Sequence, residues 1–256
     1  MSQQPAVSGL PDPNLQSVCP LPLLLDIPTG SQRALVFAAH ADDETLGCGG
    51  TMARLVDAGW RVHVVVVSDG AGGDPLAYTQ GEVVAVRRAE CRAALTCLGV
   101  PAVEFLDAPD GRLPLDTALL ERLGDCWRNT NPDWVLAPCP LDYHRDHVHL
   151  GLLLLRLWQQ QGHDTRLFCY EVWLPLPANW LVDIAPVMAR KIRAINAYRL
   201  PLRYYPYDRM TLALNRFRGL QLGANGPEDA EALLEITPTT LASWSAVFIN
   251  ARTLLD

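Results

Sequence analysis

The run Ala34-Leu35-Val36-Phe37-Ala38-Ala39-His40-Ala41-Asp42-Asp43-Glu44-Thr45-Leu46-Gly47 decides how this chain folds. Its first six residues are uninterrupted apolar sequence, which reads as a buried strand. An imidazole and two carboxylates follow at once. Residues 45–59 then take a helical pattern, with Met52, Leu55 and Val56 on the apolar side. Open α/β sheets bind their ligands at the C-terminal ends of strands. Imidazole with carboxylate is also the ligand set that suits a divalent metal such as zinc.

Outward from that run the chain alternates. Residues 61–67 read as a second strand, and residues 68–74 as loop chemistry. Residues 81–98 predict a helix with Val84, Val86, Ala89, Ala93, Ala94 and Leu98 available to pack, closed by Gly99 at a C-cap. A strand follows over 102–106, a helix over 117–127 and a strand over 133–137. A helix is predicted from 147 or 148 to 160, then a strand over 166–173. This order predicts an α/β fold: a Rossmann-like, doubly wound, mostly parallel sheet covered on both faces, with a helical C-terminal region. In that region helices are predicted over 187–198, 207–222, 228–235 and 239–254. Residues 1–30, rich in proline and polar residues, read as a loosely ordered N-terminal arm, and residues 31–256 as a single domain.

Bulk composition narrows the function. A 49% apolar fraction supports a sizeable core. The net charge of −7 and the lack of a basic run leave no footprint for nucleic acid. No secretory signal and no membrane-spanning stretch are visible. The seven cysteines contain no Cys-x-x-Cys pair and read as reduced thiols of a cytoplasmic protein. Association into an oligomer stays open.

A second polar cluster, His144-Arg145-Asp146-His147, follows the strand at 133–137. Two clusters that each close a strand suggest one metal site built from both. His40 and Asp43 stand three apart where strand turns into helix, so both can reach one cation while Asp42 points elsewhere. His147 supplies a third ligand, leaving a position for water, as catalytic zinc sites do. Zinc lowers the pKa of such water from about 15.7 toward roughly 7. Asp42 is then the candidate general base, and His144 the group that stabilises an oxyanion or protonates a departing amine. Asp146 would orient or charge His144. Zinc and iron(II) both suit the set.

Plainer readings attach to the same residues. Asp42, Asp43 and Glu44 could simply face a helix dipole. The glycines at 47, 49 and 50 lack the order of a phosphate-binding loop and point to close helix–sheet packing. Cys48 reads as a small buried residue, His63 as core, His163 as a loop residue, and His149 as a spare left out of the ligand set.

The segment Ala39 to Gly50 closely resembles the Ala-His-Pro-Asp-Asp-Glu signature of the LmbE-like, PIG-L-type N-deacetylases, and His144 to Gly151 resembles that family's second motif. The likeness continues through residues 68–70, 87–94, 98–99 and 110–111, with a weaker echo at Gly226 and residues 230–232. It implies a zinc-dependent enzyme that removes an acetyl group from an N-acetylglucosamine-type amino sugar. By matching position, His40, Asp43 and His147 would hold the metal, Asp42 would be the base and His144 the oxyanion stabiliser. Arg88 and Asp110 would bind sugar hydroxyls. Ala41 and Arg145 replace the family's prolines; Arg145 would place a positive charge near the pocket mouth and favour an anionic substrate. The rival readings are a metal-dependent amidase acting on another acyl amide or thiol–sugar conjugate, and a non-catalytic sugar-binding module on the same fold.

Overall fold

The computed structural model describes residues 21–73, 79–161, 164–223 and 226–243. Among them, the strands are β1 (Leu23–Leu24), β2 (Arg33–Ala38), β3 (Arg61–Ser68), β4 (Ala102–Ala108), β5 (Trp134–Pro138), β6 (Arg166–Tyr170), β7 (Trp180–Asp183) and β8 (Ala230–Ile236). The helices are α1 (Asp43–Asp57), α2 (Gln80–Leu98), α3 (Thr117–Thr130), α4 (Arg145–Gln161), α5 (Met188–Ile195), α6 (Tyr207–Leu220) and α7 (Pro238–Ser243). The strands form one sheet in the order β1-β7-β8-β6-β5-β2-β3-β4. Only the contacts of β8, with β6 and β7, are antiparallel.

Strand β2 shows why the sheet is wound on both sides. Side chains alternate across a strand. Ala34, Val36 and Ala38 pack with Met52, Leu55, Leu95 and Leu98 from α1 and α2. Leu35, Phe37 and Ala39 pack with Leu123, Trp127, Leu153 and Leu157 from α3 and α4. β2 pairs in parallel with β3 on one side and with β5 on the other. The chain leaves β2 in one direction and later returns to its opposite edge, so the crevice at the ends of β2 and β5 is a topological switch point.

Local chemistry fixes the ends of α2. Thr79 and Glu82 form a reciprocal capping box, and Gly99 takes φ 81° at the other end. Two of the three glycines of α1, Gly47 and Gly50, serve the close packing expected of them, whereas a Cβ on Gly49 would meet nothing nearer than 3.5 Å. A Cβ on Gly47 would lie 2.2 Å from Tyr170 Cδ2 and 2.7 Å from the Glu171 carbonyl; one on Gly50 would lie 2.6 Å from Ile184 Cγ2. The helix breaks at Cys48 (φ −140°, ψ 23°) and restarts under a carboxylate. Glu231 accepts from the backbone N–H groups of Gly50 and Thr51, at 2.7 and 2.6 Å.

Two expectations change. Residues 228–235 are not a helix, because β8 runs through them. Its sequence, Ala-Glu-Ala-Leu-Leu-Glu-Ile, favours helix only weakly per residue. Hydrogen bonding along both edges, to β6 and β7, outweighs that preference. The N-terminal arm is attached where it is described, since Leu23 and Leu24 pair with Trp180 and Leu181 of β7 and Leu25 is buried. Residues 1–20, His163 and most of the expected closing helix lie outside the described residues.

Candidate metal centre and active site

β2 ends at Ala38, and the chain turns through His40 and Asp42 into α1. The turn is strained at one place: Asp42 takes φ 144°, ψ −31°, a region where a side chain is disfavoured. Glu44 and Arg87 brace it. The Asp42 N–H donates to Glu44 Oε2 at 3.1 Å. Arg87 donates to the Ala41 carbonyl at 3.0 Å and to Asp42 Oδ2 at 3.4 Å. Glu44 is itself buried and accepts from the Tyr198 and Thr45 hydroxyls.

Residues from both clusters meet at Asp43. Its Oδ2 lies 3.4 Å from His40 Nδ1 and 3.2 Å from His147 Nε2. The His40 and His147 rings are 5.4 Å apart. His147 is completely buried, yet neither ring nitrogen makes an aligned hydrogen bond. Donors bound tetrahedrally at about 2.0–2.1 Å stand roughly 3.3 Å from one another. The spacing and the orphaned nitrogen therefore fit a divalent cation held by His40, Asp43 and His147. His144 also brings a ring nitrogen within 4.8 Å of those of His40 and His147.

The surrounding charges agree with this. Burial works to discharge His147, but the carboxylates of Asp43 and Asp142 raise its pKa to about 9. Burial likewise opposes charge on His40, and Asp110, Asp146 and Asp43 together hold it well above the usual imidazole range. Burial opposes ionisation of Asp43 too, but the His147 and His40 contacts hold it well below the usual carboxylate range. The site therefore gathers positive charge against four carboxylates, a demand that a divalent cation also meets. Burial pushes Asp42 up to about 7, with the Arg87 guanidinium opposing. His144 is lowered by burial and by its two histidine neighbours. The His144 Nδ1 accepts the Asp146 N–H at 3.2 Å, so the proton of the neutral ring belongs on Nε2.

A cavity of about 330 Å³ opens on this cluster, bounded by His40, Asp42, Asp43 and His144 together with Arg87, Asp110, Trp173 and Tyr207. Asp110 lines it, but both its oxygens are engaged, by His40 Nε2 at 3.1 Å and by the Gly72 N–H at 2.9 Å. Three further residues stand elsewhere than expected. Arg88 points away from the cavity and pairs with Asp107; its neighbour Arg87, on the buried side of α2, takes the place by the site. Asp146 does not reach His144 with its carboxylate. That group accepts from the Gly111 and Leu113 N–H groups and lies 3.2 Å from His40 Nε2. Arg145 is exposed beside His149 rather than at the cavity.

Sequence reasoning missed Asp142 and Arg87. Asp142 Oδ2 lies 3.4 Å from His147 Nδ1 and accepts the Trp173 N–H at 3.2 Å, while Oδ1 accepts the His144 N–H at 2.9 Å. A signal for Arg87 was present: it falls in phase with Val83, Cys91, Ala94 and Leu98, the buried stripe of α2. Cys48 is buried, and its thiol donates to the Glu44 carbonyl. His149 Nδ1 sits 2.6 Å from the Leu113 carbonyl, outside the ligand cluster. His63 is half-buried, 3.7 Å from Glu104, rather than in the core.

This is an α/β protein with a candidate metal centre at a strand-end crevice, where His40 and Asp43 border the cavity and His147 lies buried against Asp43. Residues 35–158 match the family described as PIG-L: GlcNAc-PI de-N-acetylase. A 1D-myo-inositol 2-acetamido-2-deoxy-alpha-D-glucopyranoside deacetylase of Rhodococcus jostii is 37% identical over 202 residues, 66% of this chain and 69% of the relative. A 4-oxalmesaconate hydratase of Pseudomonas putida is 30% identical over 189 residues, 65% of this chain and 73% of the relative. Among solved structures, the N,N'-diacetylchitobiose deacetylase of Pyrococcus horikoshii superposes with TM-score 0.73 at 24% identity, covering 83% of this chain and 86% of that one. The chain belongs to the PIG-L family, the LmbE-like group whose signatures it carries.

Proposed function

We propose that this protein is a zinc-dependent N-deacetylase that removes the acetyl group from an N-acetylglucosamine-type amino-sugar derivative. The observation that carries the reading is that Asp42, His40 and Asp43 open on one cavity, with His147 buried against Asp43 Oδ2 behind them. His40, Asp43 and His147 hold the cation. When bound, a divalent ion there supplies Lewis acidity, which makes water reactive near neutral pH and polarises a carbonyl.

The chain's own residues do the rest. Asp42, buried and poised near neutrality, accepts a proton from the attacking water. Arg87 holds Asp42 in place from the buried side. The His144 Nε2–H lies at the cavity wall, where it donates to the oxygen that gains charge as the amide carbon becomes tetrahedral. The proton accepted by Asp42 is then available to the departing amine. Asp146 and Asp110 fix the ring of His40, and Asp142 does the same for His147. A binding module needs no carboxylate held at a strained φ, so the braced Asp42 favours catalysis.

The hydratase relative supports a second reading, addition of water with the same cation and base. Against it stands the charge of the cavity. Among the described residues its one guanidinium, Arg87, already serves Ala41 and Asp42, and three aspartates line the same walls. An anionic substrate fits this poorly.

No helix among the described residues is long and apolar enough to cross a membrane. The six described cysteines are all free, and a cytoplasmic location accords with them.

Elemental analysis of the purified protein, with an acetate-release assay on N-acetylglucosamine derivatives before and after chelation, tests the proposal. Zinc near one equivalent per chain, loss of turnover on chelation and recovery with zinc are expected. Full activity in metal-stripped protein would overturn the cation's role.

A further inference from the structure

At the far end of the sheet from the cation cluster, where β2, β3 and β4 begin, lies a cavity of about 440 Å³. Arg33, Arg61, His63, Glu104 and Cys126 border it. The elements that form it (β2, β3, β4 and α3) are described along their whole length. Strand alternation places the charges. Arg33 falls on the face of β2 that Leu35 and Phe37 turn toward α3 and α4. Arg61 stands level with it on β3, whereas Glu104 of β4 stands level with Val65, four residues farther along. Four residues of strand span about 13 Å, so the arginines and the carboxylate border one cavity without pairing. Among the described residues neither guanidinium has a carboxylate within 4.0 Å, although the Arg33 backbone N–H donates to Asp133 at 2.8 Å. Glu104 Oε2 meets only His63 Nε2 at 3.7 Å and Cys126 Sγ at 3.8 Å. The last turn of α3 adds the negative end of its dipole, roughly half a charge, which two guanidiniums outweigh.

The geometry points to a second binding site here, for a small phosphate monoester that also carries an ammonium group. The phosphate lies between Arg33 and Arg61, and the ammonium at Glu104. The inference stands apart from the deacetylase reading and does not need it. A phosphate monoester brings about −1.5 to −2 charges at neutral pH, a match for two guanidiniums whose planar forks suit its oxygens. The ammonium meets the one carboxylate that the described residues set on this wall. Val62, Ala102 and Cys126 give apolar surface to the carbon atoms that join the two groups. Opposite charges held too far apart to satisfy each other are satisfied by one molecule that spans them. The volume falls within the roughly 300–1,000 Å³ of small-molecule sites.

Isothermal titration calorimetry with 4-aminobutyl phosphate, butyl phosphate and butylamine tests the site. None of the three is a sugar or an amide, so none is a substrate of the proposed reaction. In the native protein 4-aminobutyl phosphate should bind about three- to fivefold tighter than butyl phosphate, the worth of one half-exposed ion pair, and butylamine should bind weakest. Arg33→Gln/Arg61→Gln should weaken both phosphates at least about tenfold through lost charged hydrogen bonds. Glu104→Gln should make the two phosphates bind alike without weakening butyl phosphate, a selective loss that misfolding does not produce. No heat from either phosphate, equal affinity for the two in the native protein, undiminished binding in the double arginine variant, or a preference that survives Glu104→Gln would each overturn the site. All of these outcomes leave acetate release untouched.

Discussion

At Asp42 the backbone takes φ 144°, where a Cβ is strained and glycine is at ease. Asp42→Ala and Asp42→Gly both delete the carboxylate, so turnover should fall by roughly 10²–10⁴-fold in each with zinc retained. They differ in strain. The glycine variant should be more stable than the alanine variant by about 1–3 kcal/mol in urea unfolding, and equal stability would show that the angle costs nothing. Asp142→Asn should weaken zinc about 10–100-fold in competition with a chelator, as loss of a carboxylate behind a ligating histidine does. Unchanged affinity would leave Asp142 as a loop brace alone. That the two histidine clusters meet was legible in sequence, because each follows a strand whose end opens on the same crevice. Arg88 was misread by one position, and a helix turns about 100° per residue, enough to exchange a buried face for a solvent one.

Elements were legible where pattern and local chemistry agreed. Strand β2 and helices α2 and α6 appear within a few residues of expectation, the apolar run and the Gly99 cap being local signals. β8 was not, because its partners are distant in sequence and only pairing on both edges makes it a strand. In α1 the glycines set the approach to the sheet. Gly47→Ala should cost at least about 1–3 kcal/mol by overpacking, since its Cβ meets the Tyr170 ring and the Glu171 carbonyl. Gly81→Ala, with nothing within 4 Å of the added carbon in the first turn of α2, should instead stabilise by roughly 0.4–1 kcal/mol. Thermal melts of the pair should move in opposite directions; a shift of the same sign in both would refute the close-approach reading of Gly47.

Across the molecule, one buried network ties the late elements to the first helix. Lys191 of α5 is fully buried and donates to Glu231 of β8 at 2.5 Å, to Asn215 of α6 at 2.8 Å and to the Leu46 carbonyl of α1 at 2.9 Å. Glu231→Ala leaves that ammonium without its counter-charge and uncaps Gly50 and Thr51. Urea unfolding should register a loss of about 3–5 kcal/mol, and a loss below about 1 kcal/mol would show the network to be dispensable. By itself the sequence determined the alternation of strands and helices, the two clusters that close β2 and β5, and the family they mark. All of these are local patterns that a chain displays without folding. Only the tertiary structure decided that Arg87 rather than Arg88 faces the site, that Asp142 backs His147, that residues 230–236 are a strand, and that Arg33, Arg61 and Glu104 border one cavity at the far end of the sheet. Each of those facts depends on which distant surfaces meet, and no local spacing encodes that.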